Sequence, residues 1–262
     1  MIEWNVDPQI FQIGPLAVRW YGVLFALSFI AGFQIMHWIY KKEHKPENDL
    51  NDLIWYMILG TVIGARLGHC MFYNPNFYLT YPIEIIKVWQ GGLASHGAAI
   101  GILIALFLYS KKKKDQSYIW VLDRIVITAA LGGFLIRMGN LFNSEIVGKP
   151  ADLPWAFVFV RNNEQIPRHP AQLYEAIAYL ISFFILFFYY RKKEGRFKNG
   201  FIFGLFLLLV FTFRFFVEFI KEDQSIFEKN MTFNMGQLLS LPLIALGLFL
   251  VFRKSKKEIV IR

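Results

Sequence analysis

The sequence predicts an all-α polytopic integral membrane protein of seven transmembrane helices, with the N-terminus outside and the C-terminus cytoplasmic. Three observations carry this. First, 56% of the 262 residues are hydrophobic and 18% aromatic, and the mean hydropathy is +0.41, too apolar for an ordinary soluble domain. Second, apolar stretches near the roughly 20 residues that cross a bilayer fall at about 18–40, 53–73, 93–110, 119–138, 171–190, 200–219 and 234–252. Third, the connecting segments alternate in charge. Lys41, Lys42 and Lys45 follow the first stretch, Lys111 to Lys114 the third, Arg191, Lys192, Lys193, Arg196 and Lys198 the fifth, and Arg253, Lys254, Lys256 and Lys257 the seventh. Short basic loops stay on the cytoplasmic side. By contrast, residues 1–17 hold no lysine or arginine, 74–92 only Lys87, and 220–233 only Lys221 and Lys229. Seven spans with the N-terminus outside satisfy every segment, in a single domain over residues 1–262.

The formal charge of +9 is concentrated in these short loops, so it reads as a topology signal and not as a nucleic-acid surface. The opening MIEWNVDPQIFQIG has no basic start, uninterrupted apolar core or small-residue cleavage site, so it is not read as a removable signal and is placed at the outer interface. Cys70 is the single cysteine, which excludes an internal disulfide and a cysteine-based metal site. Its expected role is packing.

The first stretch opens on Arg19-Trp20-Tyr21-Gly22, at an edge where Trp and Tyr belts occur in any case. The second carries Gly60, Gly64 and Gly68 and the third Gly97 and Gly101; small residues at four-residue spacing let helix backbones approach closely. Arg66, Arg137 and Arg214 lie inside or at the ends of apolar stretches, and the topology turns all three outward. A charge at membrane depth costs from about 3 kcal/mol upward and normally marks a polar cavity. Arg66, set among the glycines, is equally well read as the structural partner of a membrane carboxylate.

The third stretch begins GGLASHGAAIG, with His96 among small residues that leave room for a bulky substrate. Its imidazole can donate, accept or move a proton near neutral pH, or simply cap the helix start. In RMGNLFNSE, Arg137, Asn140 and Asn143 recur every three residues, with Glu145 and Gly148 just beyond. On a helix the three share one face, and a guanidinium with amide donors suits two oxygens of a phosphodiester. The plainer reading of Arg137 is an interfacial anchor. The segment 141–169 is expected outside, with Trp155 to Val160 a candidate short strand or hairpin. RHPAQLYE then starts the fifth stretch, with Pro170 placed for a first helical position and Gln172 and Glu175 three apart. In RFFVEF, Arg214 and Glu218 are four apart, which fits an ion pair, a catalytic role, or both.

His69, His96, His169, Glu145 and Glu175 are all assigned to the outer side, but no pair has metal-ligand spacing, so no metal is expected. There is no phosphate-cradling loop or dinucleotide fingerprint, so no nucleotide or other cofactor is expected either.

In order and spacing, RWYG, GGLASHGAAIG, RMGNLFNSEIVGK, RHPAQLYE, RFFVEF and MGQLLSLP resemble the prolipoprotein diacylglyceryl transferase family, bacterial inner-membrane enzymes that start lipoprotein maturation. The resemblance covers nearly the whole chain. The family pattern reads HGG where His96-Gly97-Ala98 stands and NGE where Asn143-Ser144-Glu145 stands. The resemblance implies functional roles for Tyr21, His96, Arg137, Asn140, Glu145, Gly148, Arg214 and Glu218. His96, Arg137, Arg214 and Tyr21 would be catalytic; Arg137, Asn140, Glu145, Gly148, Arg214 and Glu218 would bind phosphatidylglycerol.

It further implies that phosphatidylglycerol donates its diacylglyceryl group to the lipobox cysteine of a prolipoprotein, releasing glycerol 1-phosphate. The implied partners are that lipid, the prolipoprotein signal-peptide segment and the surrounding membrane lipids, with no nucleic acid. Its setting is the cytoplasmic membrane, with the site towards the outer face. Arginines would stabilise the leaving phosphomonoester, and His96 would act either as base for the thiol or as a headgroup contact. Two other classes compete. A flippase or transporter would place charges near the midplane with access from both faces, and a peptide-binding assembly factor would use Arg214 and Glu218 structurally and not need His96.

Overall fold

A computed structural model describes residues 1–14, 16–222 and 231–254. Lys229, Lys256 and Lys257, used in the charge argument, lie outside the described residues. Each of the seven apolar stretches is a helix. They are α1 (Trp20–Lys42), α2 (Glu47–Phe72), then, after the one-and-a-half-turn α3 (Pro75–Thr80), α4 (Ser95–Lys112), α5 (Tyr118–Phe142), α6 (Ala171–Lys193), α7 (Phe201–Val217) and α8 (Met235–Phe252). Five of them, α1, α2, α5, α6 and α8, are long and apolar enough to cross a membrane, and α7 is apolar but shorter. The protein is a helical, multi-pass membrane protein. Basic residues close α1, α4 and α6, where they also complement the helix dipole. The chain divides into two compact units, one of residues 1–35 with 123–262 and one of residues 36–122.

In the smaller unit, α2 and α4 pack through their glycines. A Cβ placed on Gly64 would lie 2.7 Å from Gly101 Cα, and one on Gly97 2.7 Å from Gly68 Cα, so a side chain at either position would push the helices apart. Cys70 is buried beside this seam. Arg66 is 4% exposed, and its partners correct the expectation of a membrane carboxylate. Nε donates to Ile85 O (2.8 Å), Nη1 to Gly91 O (2.6 Å) and Gly92 O (3.2 Å), and Nη2 to Glu84 O (2.5 Å). The guanidinium is consumed by backbone carbonyls of the short 3-10 turn at Pro82–Ile86 and of Gly91 and Gly92, which follow the second turn at Val88–Gln90. It holds that segment against α2.

The larger unit contains two small two-stranded sheets, of which only the strand within Trp155 to Val160 is a candidate from the sequence. β1 (Ile2–Trp4) pairs in parallel with β4 (Phe157–Phe159), and β2 (Gln9–Ile13) forms a hairpin with β3 (Leu16–Arg19). The expected strand between Trp155 and Val160 is therefore present, three residues long, and its partner is the N-terminus. Trp4 stacks on Phe157 at 5.5 Å and its indole donates to Leu141 O, which closes a small core of Leu141, Phe157 and Phe159. Further bridges join Gly148 to Lys221 and Arg168 to both Pro150 and Phe157. The 141–169 segment is thus a backbone-paired platform next to the end of α5, the start of α6 and the residues after α7. At the far end of α7, the buried Asp123 carboxylate accepts from Gly200 N and Phe203 N, satisfying helix donors that have no intrahelical partner.

Candidate active site

The last turns of α5 present Arg137 and Asn140 on one face, as their spacing requires. Arg137 Nη1 donates to Asn140 Oδ1 at 3.1 Å, and Asn140 Nδ2 donates to Glu145 Oε1 at 2.8 Å. Asn143 follows the helix and donates to the same Glu145 oxygen at 3.2 Å. The chain turns back to bring Glu145 there through two left-handed residues, Ser144 (φ 54°) and Ile146 (φ 60°). Ser144 therefore occupies a conformation that glycine adopts without steric cost, at the position where the family pattern has glycine. Ala98, at the other departure, lies within regular α4 and needs no such freedom.

Tyr21, the second residue of α1, packs its ring on Gly139, where an added Cβ would lie 2.8 Å from the ring. It lies within electrostatic reach of Glu145 and Arg137. Gly148 has a backbone role: a Cβ there would come within 2.8 Å of both His169 O and Ile220 O. Its N–H donates to His169 O at 2.9 Å, so three segments meet only because it has no side chain.

Arg214 and Glu218 pair at 3.5 Å, with Glu218 capping the end of α7. The Arg214 side chain is 34% exposed and that of Glu218 5%. Arg214 lines a cavity with Glu175, Ala178, Tyr179, Val210 and Phe213. Gly236 at the start of α8 abuts the Glu218 carboxylate, where a Cβ would lie 2.5 Å from Oε1. Asn234 Nδ2 donates to the other oxygen at 3.1 Å.

Two members of this cluster were not singled out as site residues from the sequence. Glu175, read there as part of a helix start, is buried with its Oε2 3.0 Å from Arg137 Nε. The contact lacks the alignment of a hydrogen bond, so it is an ion pair held by proximity. Lys221, read as an external loop charge, is buried between Glu218 Oε1 (3.1 Å) and Glu175 Oε1 (3.6 Å). The available signals were the three-residue spacings from Glu218 to Lys221 and from Gln172 to Glu175. Pro170 stands at the N-cap of α6, one residue before the expected first helical position. Gln172 is fully buried, with both amide atoms unpartnered among the described residues.

His96 belongs to the smaller unit. It is the second residue of α4 and exposed, with its ring edge-on to Phe72 at 5.3 Å and stacked on Tyr73 at 6.0 Å.

The larger unit thus gathers two arginines, a lysine, three carboxylates and three amides, those of Asn140, Asn143 and Asn234, in one cluster. Arg214 and Glu175 line one small cavity, and Arg137 stands behind it, paired with Glu175; guanidinium groups so held can bind a phosphate ester and stabilise charge that develops on it.

Comparison with known proteins gives the family. The prolipoprotein diacylglyceryl transferase family profile matches residues 8–253. A phosphatidylglycerol--prolipoprotein diacylglyceryl transferase of Chloroherpeton thalassium is 50% identical over 256 residues, covering 98% of this chain and 95% of the relative. The proteins of that name from Tolumonas auensis and Bacteroides fragilis are each 44% identical, covering 98% and 99% of this chain and 99% and 97% of the relatives. The chain belongs to the prolipoprotein diacylglyceryl transferase family.

Proposed function

We propose that this protein transfers the diacylglyceryl group of phosphatidylglycerol to the lipobox cysteine of prolipoproteins, the first step of bacterial lipoprotein maturation. The thiol sulfur attacks the glyceryl carbon that carries the phosphate. A carbon–sulfur bond forms, the carbon–oxygen bond to phosphate breaks, the thiol gives up its proton, and glycerol 1-phosphate leaves. The observation that carries this reading is the pairing of Arg137 with Glu175 and of Arg214 with Glu218, with one member of each pair, Glu175 and Arg214, lining the same cavity. Each guanidinium is held in place before the substrate arrives, so stabilising the leaving phosphomonoester needs little reorganisation at the moment of reaction.

Arg137 and Arg214 are the phosphate-binding cations in this scheme. Asn140, oriented by Arg137 and Glu145, adds an amide, and Tyr21 a hydroxyl. Glu145, Gly148 and Glu218 hold this frame. His96 takes the thiol proton, since a thiol with a reference pKa near 8.5 is mostly protonated at neutral pH. Phosphatidylglycerol and the prolipoprotein are the partners. All seven long helices span the cytoplasmic membrane, with the N-terminus outside, the C-terminus inside and the reaction at the outer leaflet.

The test is incubation of purified protein with phosphatidylglycerol and a lipobox peptide. A mass gain of one diacylglyceryl unit on the cysteine is expected, and none when the cysteine is replaced by serine. Absence of transfer from phosphatidylglycerol by folded protein would overturn the reading.

A further inference from the structure

Lys221 lies just beyond the end of α7, 4% exposed along its side chain, with Nζ 3.1 Å from Glu218 Oε1 and 3.6 Å from Glu175 Oε1. Each of those carboxylates also holds an arginine: Glu175 meets Arg137 at 3.0 Å and Glu218 meets Arg214 at 3.5 Å. Charges therefore alternate along one path, in the order Arg137, Glu175, Lys221, Glu218, Arg214, and Lys221 is the link between its halves. The backbone that carries Lys221 is fixed. It bridges to Gly148, while Lys149 N donates to Ile220 O at 2.8 Å and Glu222 N to Val147 O at 3.3 Å.

The path holds three cations and two carboxylates, a surplus of one positive charge. Glu145 does not cancel it, because it is exposed and, among the described residues, is linked to the path through the Asn140 amide. Four of the five side chains are at most 15% exposed and Arg214 is 34% exposed, so the surplus charge is costly until it meets a counter-ion, and Arg214 is where one can arrive.

We propose that Lys221 is a positioning residue for lipid binding: it fixes Glu175 and Glu218, sets through them the spacing of the two guanidinium groups, and leaves the cluster one positive charge in excess, which a singly charged phosphodiester headgroup neutralises. This rests on the phosphatidylglycerol reading above. It adds that the preference for an anionic over a zwitterionic lipid depends on an ammonium that need not touch the lipid.

The experiment compares wild type, Lys221→Arg, Lys221→Met and Lys221→Gln in the full chain. It measures thermal unfolding, KM and kcat for phosphatidylglycerol and peptide separately, and the binding of phosphatidylglycerol against phosphatidylethanolamine by native mass spectrometry. Lys221→Arg should stay within about threefold of wild type, because it keeps charge and donors. Lys221→Met should raise the KM for phosphatidylglycerol by about tenfold or more, the scale of one charge-assisted contact. It should leave the peptide KM unchanged and erase the preference for the anionic lipid. If Lys221→Met does not fold, Lys221→Gln decides, since its amide can still donate to either carboxylate without the charge. A lower melting temperature with wild-type lipid KM and lipid preference in the folded variants would make Lys221 merely structural and overturn the proposal. A wild type that binds both lipids equally would instead count against the phosphatidylglycerol reading.

Discussion

Arg137 on α5 and Glu175 on α6 meet at 3.0 Å, with both side chains at most 15% exposed. The carboxylate holds the guanidinium in place by charge, and the Nη1 hydrogen bond to Asn140 orients it. Arg137→Lys should therefore lose most transfer activity although it keeps the charge, since one ammonium cannot serve a carboxylate, an amide and two phosphate oxygens together. Losing a charge-assisted contact to the developing phosphomonoester costs about 3 kcal/mol, roughly a hundredfold in rate. Steady-state kinetics on folded variant protein checks this. Near-normal turnover would move the phosphate-binding role to Arg214.

Arg66 is expected to behave differently from the other two arginines. Its donors are taken by four carbonyls of residues 84–92, so Arg66→Gln should act through stability, by about 3 kcal/mol at the scale of lost charged hydrogen bonds. Thermal unfolding should show the loss, and limited proteolysis should cut first between residues 84 and 92. If Arg66→Gln keeps its melting temperature but loses affinity for phosphatidylglycerol, Arg66 binds substrate after all.

The contrast between these arginines shows what the sequence made legible. Hydropathy is a property of consecutive residues, so the seven apolar stretches can be read directly and each is a helix. Helical periodicity alone likewise puts Arg137 and Asn140, three residues apart, on one face. Pairing at a distance leaves no such trace. β4 lies within the candidate strand at Trp155 to Val160, but nothing in the sequence points to its partner β1, three residues long and more than 150 positions away. The ion pairs of Glu175 with Arg137 and with Lys221 join residues on separate elements. The glycines around Arg66 suggest a structural role, but its partners cannot be read from the sequence, because they are backbone carbonyls, which every residue has.

Ser144 carries two local costs that a single change removes. Its backbone is left-handed at φ 54°, and its buried hydroxyl has no hydrogen-bond partner among the described residues. Left-handed geometry costs a non-glycine residue about 1–2 kcal/mol, partly offset by the entropy glycine loses on folding. Ser144→Gly should raise stability by about 1 kcal/mol with transfer activity unchanged. A drop in melting temperature would show that the hydroxyl has a partner in the native membrane.

The topology can be tested independently of activity. With Cys70 replaced, a cysteine at Asn76 should react with a membrane-impermeant reagent on intact cells, and one at Ser110 only after permeabilisation, because the basic loops alternate with poorly charged ones. The reverse labelling would invert the orientation and place the Arg137 cluster towards the cytoplasm.

His96 separates two mechanisms by their pH dependence. It is exposed on the first turn of α4, against Phe72 and Tyr73, and so is open to an incoming group. A general base contributes about 100- to 10,000-fold, and an amide of similar shape cannot replace it. An orienting hydrogen bond, by contrast, can be partly replaced by glutamine. If His96 takes the thiol proton, His96→Asn and His96→Gln should both be severely impaired at pH 7. Their activity should rise as the pH approaches the reference thiol pKa of about 8.5, because the thiolate then forms without help. Peptide alkylation rates measured in parallel give the thiolate fraction directly, so recovery can be scaled against it. Substantial activity of His96→Gln at pH 7, with no gain at higher pH, would leave His96 as a substrate contact and assign thiol activation to the arginine field.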